Sequence, residues 1–229
     1  MRPVKKALVG ESVSFKSSND HVETIEVLSS YANYGDAKKP LVACLGAYCS
    51  YCESVIPYAN LAVEHLIPKA EGGDEFSWDN FLLSCSVCNS IKAHPENIVF
   101  DDYAWPHIDD TFHCFVYDRA GRIKVRSELN SPMKEKAEKL FDWLKLGRSK
   151  EGPDFPTTAD FRWKNRFEAW TKAEKVKKAY KCSLYSVEDI ISDVKKYGSW
   201  SVWFTVFSEE PEVRQSLIDE FEGTNKDFF

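Results

Sequence analysis

The chain lacks any apolar run long enough to cross a bilayer: the longest, SVWFTVF at 201–207, falls far short of the ~20 residues that a spanning helix needs. It also lacks a signal-like apolar core near its amino terminus, low-complexity tracts and internal repeats. A soluble, cytoplasmic, globular protein is therefore expected, with 43% hydrophobic residues to build its core. Positive charge is scarce overall. The 30 Lys and Arg are outnumbered by 36 Asp and Glu, for a net −6, which argues against a protein that grips nucleic acid unaided. What basic charge exists is concentrated, since residues 131–182 hold 14 Lys and Arg against 8 Asp and Glu. A secreted disulfide framework is missing too. Of seven cysteines, Cys44, Cys114 and Cys182 are scattered, and the other four fall in two CxxC pairs.

Those pairs, Cys49 with Cys52 and Cys85 with Cys88, are the strongest signal present. Thiolates two residues apart can turn both sulfurs toward one ion, and four of them complete a tetrahedral structural Zn2+ site. Binding energy of such an ion is folding energy, so it would staple a small core. Four protein ligands leave no open coordination position, so this zinc is not expected to be catalytic. Between the pairs and just after them stand Glu64, His65, Asn80, Asn89 and Lys92, the kinds of group that one-metal phosphodiester hydrolysis uses. Leu61–Ile67 reads as a strand ended by Pro68, Gly72-Gly73 as a turn, Asn80–Leu83 as a second strand and Ser86–Lys92 as a helix. On a regular strand Glu64 and His65 would point to opposite faces. Spacing alone does not bring them to one site.

The stretch Cys49–Lys92 carries CxxC, acidic-His-x-x-Pro, Gly-Gly and Asp-Asn-x-x-x-x-Cys-x-x-Cys-Asn-x-x-Lys in order, and so resembles the HNH endonuclease family. The resemblance implies a ββα-metal fold in which His65 is the general base, Asn80 helps to orient it, and Glu64 and Asn89 hold a catalytic Mg2+ or Mn2+. Glu64 stands where Asp or His is commoner, and Asn89 where the last, name-giving His often sits. Both still offer oxygen ligands suited to those ions. Lys92, one turn after Asn89, is placed to contact a backbone phosphate. His94 is read as a further ligand, a phosphate contact or an exposed helix-end residue, whereas His21, His107 and His113 are read as structural. Residues 34–94 further resemble HNH nucleases of retron-linked and Septu-type anti-phage systems, which act beside an SMC/ABC-type ATPase. The implied function is a metal-dependent endonuclease hydrolysing DNA in such a system. The alternatives are an effector that cuts RNA, such as a transfer RNA, and a catalytically inactive zinc-held adaptor.

The expected fold class is α+β, with a zinc-stapled ββα-metal HNH module embedded in a mostly helical chain. Three segments follow: a helical lead-in at 1–47, the nuclease module at 48–130 and a helical carboxyl-terminal region at 131–229. The lead-in would hold a helix at Val22–Tyr34 and a second one capped by Asp36, with Pro40 in its first turn and Gly46 as its stop. Thr111–Tyr117 and Arg122–Ser127 alternate like a hairpin. Helices are expected at Pro132–Leu146, Ala159–Tyr180, Val187–Tyr197 and Glu212–Glu222. The second of these mixes Arg162, Arg166, Lys172, Lys175, Lys178 and Lys181 with Trp163, Phe167, Trp170 and Tyr180, a combination able to track phosphates and stack bases. An amphipathic helix burying Trp163, Phe167, Trp170 and Ala173, in the core or against the ATPase, is the favoured reading.

Overall fold

Residues 1–92, 97–152 and 154–229 are described by the computed structural model, and the first surprise lies in the lead-in. A hairpin replaces the helix expected at 22–34: β1 (Ser12–Lys16) pairs antiparallel with β2 (Val22–Glu26), placing Phe15 opposite Glu23. Val22, Ile25 and Leu28 recur at helical spacing, while Ile25 and Val27 alternate as in the extended period. The β-branched Val22, Thr24 and Ile25 favour the extended one once Val13 and Phe15 supply a partner strand. Val22 and Leu28, two members of the expected helical face, are exposed. A 3-10 turn, Tyr34–Ala37, then leads directly into α1 (Lys38–Leu45). Its cap is Asn33, whose side chain accepts from Gly35 N, and Asp36 caps nothing. Gly46 ends α1 with φ 75°, a conformation in which a Cβ is costly.

The centre follows the expected order. β3 (Ala62–His65) and β4 (Phe81–Ser84) pair antiparallel, with Glu64 opposite Leu82 and His65 opposite Phe81, and α2 (Ser86–Lys92) follows at once. Part of the next expected strand is a helical turn, α3 (Thr111–Cys114), because the Asp110 side chain accepts from His113 N and caps it. The true hairpin is the shorter β5 (Phe115–Tyr117) with β6 (Ile123–Val125).

Five α-helices follow among the described residues: α4 (Ser131–Trp143), α5 (Arg162–Lys181), α6 (Val187–Tyr197), α7 (Trp200–Val206) and α8 (Pro211–Asp219). α7 was not expected, because a short apolar run has no periodicity to read. Its Trp200, Val202, Trp203 and Phe204 are buried, and it packs on α5, α8 and β5. One continuous buried core joins residues from all three segments. None of the described helices is long and apolar enough to cross a membrane.

The buried stripe of α5 is Arg162, Arg166, Ala169, Ala173 and Val176, while Phe167 is exposed. The helix is thus rotated from the expected aromatic face. Two arginines can lie inside because their donors are met. Arg162 Nη1 donates to Leu144 O (2.8 Å) and Nη2 to Lys145 O (3.1 Å), and Arg166 donates to Gly121 O (2.9 Å) and Leu146 O (3.2 Å). Neither guanidinium is available to track phosphates, which removes two cations from that reading of the helix.

Candidate metal centre and active site

The first CxxC follows α1 in a tight turn, and the second spans the junction of β4 with α2. Ser50 N donates to Leu83 O (2.8 Å), lashing the first turn to β4, and Cys88 N donates to Cys85 Sγ (3.4 Å). The four sulfurs of Cys49, Cys52, Cys85 and Cys88 lie within 4.8 Å of one another, all buried. Zinc–sulfur bonds of ~2.3 Å at tetrahedral angles set sulfurs about 3.8 Å apart, and Cys52 Sγ and Cys85 Sγ are 3.7 Å apart. Hydrogen bonds from neighbouring thiols, Cys49 first, hold the Cys52 thiol well below its usual range. Burial pushes Cys49 up, and thiol hydrogen bonds push Cys88 up. Four thiols in this space can all ionise only if a cation shares their charge. The donor set fits Zn2+.

His65 is half-buried, its ring edge-on to Phe81 and to Tyr34 at centroid distances of 5.2 Å each. Its Nε2 lies 3.0 Å from Glu75 O. A carbonyl only accepts, so Nε2 carries the proton, and in the neutral form of the ring that places the lone pair on Nδ1. Asn80 makes no hydrogen bond to His65 but clamps the loop that holds it. Its Oδ1 accepts from Ile67 N (2.8 Å), and its Nδ2 donates to Ile67 O (3.0 Å) and to Asp74 O (2.8 Å), one residue before Glu75. Gly73 permits this closure, since a Cβ there would stand 1.9 Å from Ile67 O.

Glu64 points away from His65, as strand alternation requires. It is 3% exposed, its Oε1 lies 2.5 Å from Lys92 Nζ, and its Oε2 accepts from Ser84 Oγ (3.3 Å). Lys92, expected at a phosphate, is instead 1% exposed. It donates to His65 O (2.9 Å) and Leu66 O (3.1 Å) beneath the ring of Trp143, 4.6 Å away. Burial pulls its pKa down and Glu64 opposes that pull. As its helix is seated, Lys92 cannot reach a substrate. Asn89 is exposed on α2, while the carboxylate expected beside it is already neutralised. Glu64 with Asn89 therefore does not fit a bound Mg2+ or Mn2+ in this arrangement: a dication at Glu64 would abut an ammonium. His94 lies outside the described residues.

Two contacts that the sequence reading missed, one through Glu53 and one through Arg162, tie this centre to the rest of the chain. Glu53, buried one residue after Cys52 with φ 62°, accepts from Ser201 N (2.9 Å), Ser201 Oγ (2.5 Å) and Arg2 N, joining the first cysteine turn to α7 and the amino terminus. Arg162 Nη1 reaches Cys88 Sγ (3.6 Å) while its Nε and Nη2 grip Asp160 (2.8 and 2.7 Å). No local spacing signals either contact, because the partners are 148 and 74 residues apart.

A comparison with curated proteins finds no match. Residues 49–94 match the HNH endonuclease family; the match spans both cysteine pairs, β3, β4 and α2, and supports placing this segment of the chain in that family.

Proposed function

We propose that the chain is an HNH endonuclease that hydrolyses phosphodiester bonds of nucleic acid, DNA first, with His65 as general base and Zn2+ as a structural ion. The observation that carries this reading is the bond from His65 Nε2 to Glu75 O. It leaves Nδ1 free to take a proton from an attacking water. Asn80 and Gly73 act as positioning residues, because they set the loop that holds Glu75. The Mg2+ or Mn2+ that the family resemblance implies would offset charge on the phosphoryl oxygens. It finds no open carboxylate at Glu64 while Lys92 stands there, so the proposal rests on the imidazole and its setting.

The resemblance of residues 34–94 to retron-linked and Septu-type nucleases extends the reading to an anti-phage effector beside an SMC/ABC-type ATPase. The net charge of −6 and the internal engagement of Arg162 and Arg166 support a partner that supplies part of the grip on the substrate. A zinc-held adaptor without catalysis is the second reading, favoured by the closed Glu64–Lys92 pair.

Zinc-loaded protein assayed with supercoiled DNA, linear DNA and total RNA, in Mg2+ and then Mn2+, separates these readings. Cleavage that His65→Ala abolishes, with zinc content and circular dichroism unchanged, supports the nuclease. Cleavage that survives His65→Ala overturns His65 as the base, and binding with no cleavage under any of these conditions supports the adaptor.

A further inference from the structure

Tyr34 lies fifteen residues ahead of the matched segment, yet its ring meets the His65 imidazole edge-on at 5.2 Å and 62°. A tyrosine kept for packing buries its ring. This one is 38% exposed, and its hydroxyl has no hydrogen-bond partner among the described residues. Its position is nevertheless set firmly: it opens the 3-10 turn Tyr34–Ala37, which Asn33 caps and the buried Ala37 anchors. Lys69 Nζ stands 5.4 Å from the centre of the same ring. It pairs with Glu75 Oε1 at 2.9 Å, and Glu75 O is the acceptor that holds His65. Both partners of that ion pair are about half exposed, and such pairs contribute so little that a phosphate can replace the carboxylate.

An exposed aromatic ring beside an exposed ammonium is the pair of groups that binds a nucleotide of an unpaired strand, the ring on the base and the cation on the backbone. Both stand next to the group proposed to activate water, within a nucleotide's reach of a phosphate attacked there. We propose that Tyr34 and Lys69 form the platform for the nucleotide flanking the scissile phosphate, and that they select a single-stranded or locally unpaired strand, since a duplex keeps its base faces covered. This rests on the nuclease reading above. DNA and RNA share the chemistry.

The test uses full-length, zinc-loaded His65→Gln protein, so that bound strands stay uncut, with labelled single-stranded DNA, single-stranded RNA and duplex DNA, some strands containing 2-aminopurine. Tyr34→Leu, which preserves packing against residue 65 without a π face, should weaken single-strand binding about tenfold and abolish 2-aminopurine quenching. Tyr34→Phe and Tyr34→Trp should restore both. Lys69→Ala should lower the salt dependence of binding by about one phosphate contact. Equal affinity and quenching in Tyr34→Leu, or duplex bound more tightly than single strands, overturns the platform. If wild-type protein cleaves while these variants behave as the parent does, the platform alone falls. If wild-type protein neither binds nor cuts any of the three nucleic acids, the nuclease reading falls and the platform with it.

Discussion

Arg162 Nη1 stands 3.6 Å from Cys88 Sγ, a contact across 74 residues that joins α5 to the four-sulfur cluster. A zinc tetrathiolate carries two net negative charges in a buried place, and Arg162 is the guanidinium that faces it. Its charge is kept despite burial by the Asp160 hydrogen bond and by Cys88, which raise its pKa above the usual range. Arg162→Met should leave the buried Asp160 with only Arg148 Nη1, 3.7 Å away, at a cost of up to about 3 kcal/mol, and should speed zinc loss to a chelator. Equal rates of zinc release in the variant and the parent, followed with a zinc-binding dye, would show that the contact does not act on the metal.

The pair of Lys92 and Glu64 should behave as an internal strut between α2 and β3. Lys92→Ala, leaving a buried carboxylate unpaired, is expected to cost about 3–5 kcal/mol in urea denaturation. Lys92→Met combined with Glu64→Leu should cost less than the sum of the two single changes, by about 1–3 kcal/mol. Additive costs would mean that the two groups part company in solution and that Glu64 is free to meet a cation.

Gly73→Ala places a Cβ 1.9 Å from Ile67 O, so the loop carrying Glu75 must shift and the imidazole with it. A displacement of about 1 Å at a reacting group costs on the order of 100-fold in rate. The expected outcome is a loss of that size in cleavage with zinc content unchanged, and an unaltered cleavage rate would detach this loop from the function of His65.

His107 supplies a pH dependence of stability. Burial, with Lys6 adding to it, lowers its pKa from 6.5 to about 3, and its Nδ1 is buried without a partner among the described residues. The unfolded chain therefore takes up the proton more readily than the folded one. The group has no effect on stability above pH 6.5, and as pH falls from there toward 3 it removes about 1.4 kcal/mol per unit. His107→Phe should shrink the difference between unfolding free energies at pH 7 and pH 5 by about 2 kcal/mol, and an unchanged difference would assign the acid sensitivity to other groups.

Much of the metal centre was legible because its information is local. CxxC spacing, the Pro68 stop, the Gly72-Gly73 turn and the short step from β4 to α2 each act within a few residues, and the structure places β3 and α2 inside the expected segments and β4 one residue past the end of its own. The lead-in was misread because Val22, Ile25 and Leu28 recur at helical spacing while the β-branched Val22, Thr24 and Ile25 suit a strand, and only pairing with β1 decides between them. The direction of Lys92 was misread for a related reason. A lysine at the end of a short helix is ordinarily solvated, and nothing nearby announces that Glu64, Trp143 and two carbonyls will enclose it.

The sequence by itself determined the four thiols, their pairing into one cluster, and the presence of a histidine, an asparagine and a carboxylate between them, since ligand spacing and strand punctuation are short-range properties of the chain. Tertiary structure alone decided which of those groups meet. Strand alternation sends Glu64 inward to Lys92 and His65 outward to Tyr34, the loop carbonyl of Glu75 settles which imidazole nitrogen is basic, and Arg162 closes onto the sulfurs from the far half of the chain. Burial, charge neutralisation and contact are set by elements brought together across long stretches of sequence, and no local pattern encodes them.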